Sequence, residues 1–314
     1  MPSQNEFMGC YSEGDYTALT DSTVLIPGKM ITADQGAPRL YVYHSTPTTY
    51  SFQEMSAQIL HALINSEPIN RNSWQTLDVS KSPAHDTFEL RNTHIFYDVP
   101  DYSWTLNDDI QPDQPWADIH FLERIGGEPL NPAPSYRIWP HHNGSADRHV
   151  EEQVFSHTYP ERFWPKRAAG GQSYSPDHPD DKSIHRGIRY DYGDLAGVVE
   201  QLRANSLTRQ AVLPMWFPED TGATDRRVPC SIAYHFMADD SNRLSVWYYM
   251  RACDFARHFH NDCYFAARLL QWVCARVGGD LRPGQLNITI SSLHLFRGDA
   301  DRILSEGYRE TNQN

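Results

Sequence analysis

The chain has 314 residues and a formal net charge of −13, with an isoelectric point near 5.5. That balance lacks the overall basic field that drives duplex binding by phosphate neutralisation, so no polymeric nucleic-acid partner is expected. Hydrophobic residues reach 39% and aromatics 12%, yet no stretch approaches the roughly 20 apolar residues of a membrane span, which leaves a packed globular protein without a membrane partner.

Five cysteines, Cys10, Cys230, Cys253, Cys263 and Cys274, form neither a regular framework nor a CxxC pair. Disulfide scaffolding and structural zinc are therefore not expected, and neither is any other metal site. The opening MPSQNEFMGCYSEGDY has no basic segment followed by an apolar run, so it does not read as a signal peptide. A reducing, cytoplasmic compartment is the expectation.

In chain order, TVLIPGKMI and RLYVYHSTPTTYSF read as strands. FQEMSAQILHALI has helical spacing, with Met55, Ile59, Leu60 and Leu63 on one face. Residues 126–186 are rich in Pro, Gly, Asp and His and predict loops. YGDLAGVVEQLRAN predicts a helix burying Leu195, Val198, Val199 and Leu202. QAVLPMWF, PCSIAYHFMA and LSVWYYMRA predict three strands, the last two joined by the turn DDSN. DCYFAARLLQWVCARVGG predicts a helix stopped by Gly278 and Gly279, and LNITISSLHLF an alternating strand. The order predicts an α+β fold with a large mixed or antiparallel sheet layered with helices. Residues 1–115 read as a divergent N-terminal region packed on a core of residues 116–314, the whole forming one continuous domain.

Cys230 follows Pro229 at the start of a strand. A free Cys is commonly a small buried hydrophobe; a nucleophilic one needs a nearby cation to favour the thiolate. Arg251 ends the next strand, and a hairpin turning at 239–242 brings the two ends together.

The runs RRVPCSIAYHFM, LSVWYYMRACDFARHFHND and ISSLHLF resemble the thymidylate synthase family over roughly residues 190–300. The family opens a strand with Pro-Cys, continues about twenty residues later with Arg-Ser-x-Asp and an Asn, and ends with His-Leu-Tyr. The resemblance implies that Cys230 adds to C6 of a pyrimidine nucleotide. It implies that Arg251 and Arg209 hold the phosphate, Arg209 being donated across a homodimer interface. It further implies that Asp254 contacts the base or orders the site, that His294 holds the sugar 3'-hydroxyl, and that 5,10-methylenetetrahydrofolate supplies the carbon. The N-terminal half matches poorly; Glu123, in HFLERIGGEPLNP, is the expected general acid/base, and the family's Tyr-Gly pair is not reproduced at Arg186–Gly187.

The departures bear on specificity. Eight residues beyond Asp254 the family has Asn, and this chain has Asp262, preceded by Asn261. A carboxyl accepts from the cytosine N4 amino group and, when protonated, donates to N3. The pair Asn261-Asp262 is similar to that of the family's cytidylate hydroxymethylases. A one-residue gap would instead place Asn261 at the base and restore a uracil site. Ala252 replaces a phosphate-binding Ser, leaving room for a ribose 2'-hydroxyl, so CMP stands beside dCMP as substrate. Phe296 replaces a Tyr, His258 a Gly, and Arg257 a folate-contacting Leu. The short tail after His294 predicts a wetter site. The expected enzyme is a folate-dependent cytidylate C5-hydroxymethyltransferase, with C5-methylation, a dUMP-using synthase and a non-catalytic nucleotide binder as alternatives.

Overall fold

The computed structural model describes residues 41–45, 51–74, 77–102, 104–141, 150–151, 154–165, 184–185, 188–189, 193–222 and 227–311. The strand expected at TVLIPGKMI and the pair Arg186–Gly187 lie outside these residues. In chain order, the main elements begin with β1 (Tyr41–Ser45), α1 (Phe52–Ile64), β2 (Thr87–Asp98), α2 (Trp104–Ile110), α3 (Trp116–Ile125) and α4 (Tyr159–Phe163). They continue with α5 (Leu195–Ala204), β3 (Ala211–Pro214), β4 (Ser231–Ala238), β5 (Arg243–Met250) and β6 (Cys253–Asp254). A π-helical turn, Phe255–Phe259, leads into α6 (His260–Val277), followed by β7 (Arg282–Phe296) and α7 (Arg297–Thr311).

One seven-stranded mixed sheet organises the fold, in the order β1-β2-β7-β5-β4-β3, with the short β6 also pairing β7. β2 runs antiparallel to the fifteen-residue β7 along most of its length, Thr87 opposite Phe296 and Asp98 opposite Gln285. Sequence reading gave β2 no element of its own. Its burial alternates only over Thr93–Asp98, and Arg91 and Asn92 are exposed in mid-strand, which blurs the period-two signal.

The helices start and stop where local chemistry dictates. Ser51 and Glu54 close a capping box on α1, satisfying orphan N–H groups at its first turn. Gly278, at φ +81°, receives the end of α6 in the left-handed region and donates its N–H to Cys274 O at 2.9 Å. The β4–β5 turn is held by Asp239, whose Oδ1 accepts from Ser241 N at 3.0 Å and Arg243 N at 2.9 Å.

The helical layer covers one sheet face. Tyr264, Ala266, Ala267, Leu270 and Val273 of α6 are fully buried in one core cluster with Val246, Tyr248, Leu286 and Ile290 of the sheet. Leu195, Val198, Val199 and Leu202 of α5 are buried as their spacing predicts. Tyr234 and Tyr248 stack face to face across β4 and β5 at 4.2 Å. The other face keeps apolar side chains in solvent: Val212, Ile232 and Tyr249 are 43%, 41% and 38% exposed.

Candidate active site

Cys230 sits one residue before β4, and the β4–β5 ladder fixes what faces it. Ser231 pairs with Met250, and Arg251 N donates to Cys230 O at 2.9 Å. The Arg251 guanidinium then folds back over the same loop. Nε donates to Pro229 O at 2.8 Å, and Nη2 to Val228 O at 3.0 Å, with Cys230 Sγ 3.9 Å from Nη2. The hairpin thus brings thiol and guanidinium together, as its turn position predicts.

The charge balance at the thiol differs from the sequence expectation. Burial pushes the Cys230 thiol up; Arg251 pulls it down, Asp262 pushes it up, and Arg227 and Asp254 act in the same opposed senses, with a net rise. Arg251 is in position, but with two carboxylates nearby it does not by itself favour the thiolate.

Asp254 and His294 are register partners on β6 and β7. Asp254 caps the following π-helical turn, accepting from Ala256 N at 3.0 Å and Arg257 N at 3.3 Å. Arg257 also pairs with Asp254 Oδ2 at 2.8 Å and with Asp299 of α7 at 2.6 Å. This gives Arg257 a role the sequence left open: it ties the capping carboxylate to the last helix. His258 stacks on Trp139 at 5.1 Å, and burial lowers its pKa to about 4, so it is a neutral ring at ordinary pH. His294 meets Phe296 edge-on at 5.5 Å, and burial lowers its pKa too. Ala252 is partly exposed beside Arg251.

Asn261 and Asp262 point to different neighbours. Asn261 Oδ1 accepts from Asp113 N at 2.9 Å, and Nδ2 donates to Asp113 Oδ2 at 2.8 Å and to Arg257 O at 3.2 Å. Its amide is spent on these contacts. Asp262 is 8% exposed and takes the Cys253 thiol at 3.8 Å. Burial raises its pKa to about 6, against an opposing pull from Arg124. It acts electrostatically on Cys230 and Tyr159. Of the two, Asn261 is bonded to Asp113, and Asp262 lies against Cys253 and acts on the Cys230 thiol electrostatically.

Glu123, on α3, is bound by Ser135 and His120. Its carboxylate accepts from Ser135 N at 2.8 Å, from Ser135 Oγ, and lies 3.2 Å from His120 Nδ1. Burial pushes its pKa up, but the His120 and Ser135 donors outweigh it and the net shift is down. These contacts favour the ionised carboxylate. Arg209 lies exposed just before the edge strand β3, where its carbonyl faces His235 Nε2 at 3.1 Å.

Three residues that sequence reading did not select complete the site. Tyr159, first residue of α4, has its hydroxyl 3.0 Å from Ser231 Oγ, next to Cys230. Arg124 stacks over its ring at 4.3 Å. Arg227 acts electrostatically on Cys230 and His258. For Tyr159 a signal existed: Thr158 and Glu161 form a capping box, which marks the helix start in the sequence. For Arg124 no local signal existed, because a cation on a short helix normally faces water.

Among the described residues no helix is long and apolar enough to cross a membrane, and Cys230, Cys253, Cys263 and Cys274 are free thiols. The thymidylate synthase family model matches residues 146–314, more than half of the chain. A thymidylate synthase of Rhodopseudomonas palustris (strain BisA53) is 29% identical over 112 residues, covering 36% of this chain and 37% of that protein. The aligned segment thus spans little more than a third of that relative's length. It is the match across β3–β7, with Cys230 opening β4 and Arg251 closing β5, that the geometry above explains, and the chain belongs to the thymidylate synthase family.

Proposed function

We propose that this protein transfers a one-carbon unit to C5 of a cytidylate, dCMP or CMP, giving the 5-hydroxymethyl nucleotide. What supports the reading is that the Asn261 amide is taken up by Asp113, which leaves the buried Asp262 carboxyl, 3.8 Å from the Cys253 thiol, as the group for the base edge. A carboxyl at the base edge accepts from the cytosine amino group and shares a proton with N3. The Asn261-Asp262 pair is similar to that of cytidylate hydroxymethylases, which supports the hydroxymethyl product.

The chain's own groups divide the work. Cys230 adds to C6 and raises electron density at C5. Arg251, its fork beside the thiol, is the phosphate ligand and turns from the loop carbonyls to the anion when nucleotide binds. The hydroxyl of Tyr159, beside Ser231, is placed to relay the C5 proton. Asp254 orders the site through its cap and its pairing with Arg257, His294 holds the sugar 3'-hydroxyl, and Ala252 leaves space at C2'. Glu123 and Asn261 take supporting positions rather than reacting ones.

For the folate, 5,10-methylenetetrahydrofolate, a wall of fitting chemistry is present. Trp139 stacks on His258, and its buried indole N–H has no hydrogen-bond partner among the described residues. That suits a flat heterocycle with acceptor atoms. When bound, the folate supplies a carbon at the formaldehyde oxidation level. Addition of water to the exocyclic methylene would complete the hydroxymethyl group, with tetrahydrofolate released; transfer of a hydride from the tetrahydrofolate to that methylene would instead give the methyl product and dihydrofolate.

A homodimer is supported by the sheet face carrying Val212, Ile232 and Tyr249 in solvent, since contiguous exposed apolar side chains mark interfaces. Arg209 at that sheet's edge is the residue proposed to reach the partner's phosphate site.

The test mixes the protein and methylenetetrahydrofolate with dCMP, CMP and dUMP separately and weighs each product. A gain of one CH2O unit on a cytidylate is expected. Turnover of dUMP alone would sink the cytidylate reading, and a gain of one CH2 would make it a methyltransferase.

A further inference from the structure

By the period of its strand, Ser231 belongs on the outer sheet face, yet it is buried. In β4, Tyr234 and Phe236 turn inward, and strict alternation would turn Ile232 inward with them and leave Ser231 outside. A bulge intervenes. Ser231 pairs with Met250 and Ala233 with Tyr249, so Ile232 is the extra residue of its strand. Toward β3 the Ile232 carbonyl accepts from both Met215 N at 2.8 Å and Trp216 N at 3.1 Å. Ile232 is thereby 41% exposed and Ser231 0%. Immediately beyond Cys230 the fold breaks its ladder to bury a hydroxyl.

That hydroxyl is shared by two tyrosines. Ser231 Oγ donates to Tyr159 Oη at 3.0 Å and lies 2.5 Å from Tyr248 Oη. A serine carries one hydroxyl proton. With that proton on Tyr159, the contact to Tyr248 is a hydrogen bond only if Tyr248 donates. The chain therefore has a direction, from Tyr248 to Ser231 to Tyr159. Its inner end, Tyr248, is fully buried and stacked on Tyr234. Its outer end, Tyr159, is partly exposed and keeps its own proton for another acceptor. Burial raises the Tyr159 pKa, as do the charges of Cys230 and Asp262, and the Ser231 bond works against that rise.

We propose that Ser231 is a positioning residue for proton transfer at C5: it holds the Tyr159 oxygen in place and steadies it while that oxygen exchanges protons. The inference rests on the reading of Tyr159 as the C5 relay given above. The C5–H bond of the adduct breaks, and its electron pair stays at C5, conjugated with C4. Its proton goes to Tyr159 Oη as Tyr159 passes its own proton to solvent water. Negative charge gathers on Tyr159 Oη when the second transfer runs ahead of the first, and the Ser231 proton is already aimed at it. Reversing the chain would force the Tyr248 proton to find another acceptor in the core, so the Ser231 proton stays on Tyr159.

The experiment compares the parent, Ser231→Ala, Tyr159→Phe and the double variant in the presence of methylenetetrahydrofolate. The substrates are dCMP and dUMP, each carrying hydrogen or deuterium at C5, so the outcome does not hang on which base is read. Ser231→Ala is expected to lower kcat at least about tenfold, the worth of one hydrogen bond to a charged oxygen, while nucleotide affinity without folate stays within about twofold. Its remaining turnover shows a primary deuterium isotope effect, because C5–H cleavage has become limiting. In the Tyr159→Phe background the same change costs less than about twofold, since Ser231 acts only through that hydroxyl. An unchanged kcat, equal losses in both backgrounds, or slowed turnover with no isotope effect overturns the inference. A Tyr159→Phe protein that turns over at the parent rate overturns the Tyr159 reading instead. If Ser231→Ala does not fold, Ser231→Ala/Tyr248→Phe removes the stranded phenol as well and is held to the same results. Failure of both to fold makes Ser231 a packing residue and refutes the proposal.

Discussion

The site is assembled from two stretches held by different forces. Residues 227–277 place Cys230, Arg251 and Asp262 through backbone: a β ladder, a hairpin turn, and a π-helical turn capped by Asp254 that runs on into the long helix. Residues 116–165 place Arg124 and Tyr159 through side chains: ring stacking, an indole–carbonyl bond and one buried ion pair. The first arrangement fixes atoms by covalent spacing and ladder register. The second depends on packing partners that lie far away in sequence. The proposed nucleophile and anion clamp therefore stand on the half fixed by backbone, and Arg124 and Tyr159 stand on the half whose geometry other side chains must maintain.

Removing Cys230 tests the rigid half and has the largest expected effect. Cys230→Ala abolishes turnover, a loss of at least about a thousandfold, because Cys230 is the group proposed to form the covalent adduct. Nucleotide binding persists. Surviving turnover in this variant would end the covalent mechanism.

The packed half should break at its ion pair. Arg162 of α4 donates to Asp220 Oδ1 at 2.9 Å, both side chains are nearly fully buried, and Phe217 lies under the guanidinium at 4.5 Å. Asp220→Ala leaves the buried Arg162 cation only the longer contact to half-exposed Glu219, at 3.5 Å, and chemical denaturation should show a loss of about 3 kcal/mol. The same variant should lose activity in its folded fraction, because α4 carries Tyr159. A variant as stable as the parent would show that α4 is held by something else.

Asp262 links the halves, and its own energetics are testable. Its folded pKa, about 6, lies above the ordinary value of 3.8, so ionising it opposes folding. The folded state binds the extra proton between those values, and stability from this group falls as pH rises from about 4 to 6. Asp262→Asn is therefore expected to stabilise the protein at pH 7 by on the order of 2 kcal/mol and to matter little near pH 4. Equal effects at both pH values would place Asp262 in a more solvated setting than its burial indicates.

Asn261→Ala should do least to function. It removes the bonds to Asp113 and costs about 1–2 kcal/mol of stability, with the dCMP to dUMP preference unchanged. A change in preference would return Asn261 to the base edge.

The two halves also differ in how far the sequence reveals them. The β3–β5 strands, α5, α6 and its glycine stop follow from periodicity and turn chemistry, and the proximity of Cys230 and Arg251 follows from a hairpin count. The 3.6-residue period of a helix likewise separates Asn261 from Asp262 by about 100°, but which of them meets Asp113 is decided by how the segment after α2 packs on α6. Glu123 and Arg124 show the same one-residue ambiguity in reverse. The sequence pointed to the carboxylate, whose oxygens are taken by Ser135 and His120, while the neighbouring cation turns inward between two rings. No residue spacing announces a stacking sandwich built from α3, α4 and α6.

The central claim, that Asp262 reads the base, is tested most directly by the ratio of kcat/KM for dCMP to that for dUMP, measured in the parent protein and in Asp262→Asn. The account predicts that the parent favours dCMP and that the variant moves the ratio toward dUMP by at least about tenfold, one carboxamide pairing being worth about 1.4 kcal/mol or more. A ratio that is the same in both proteins would contradict it.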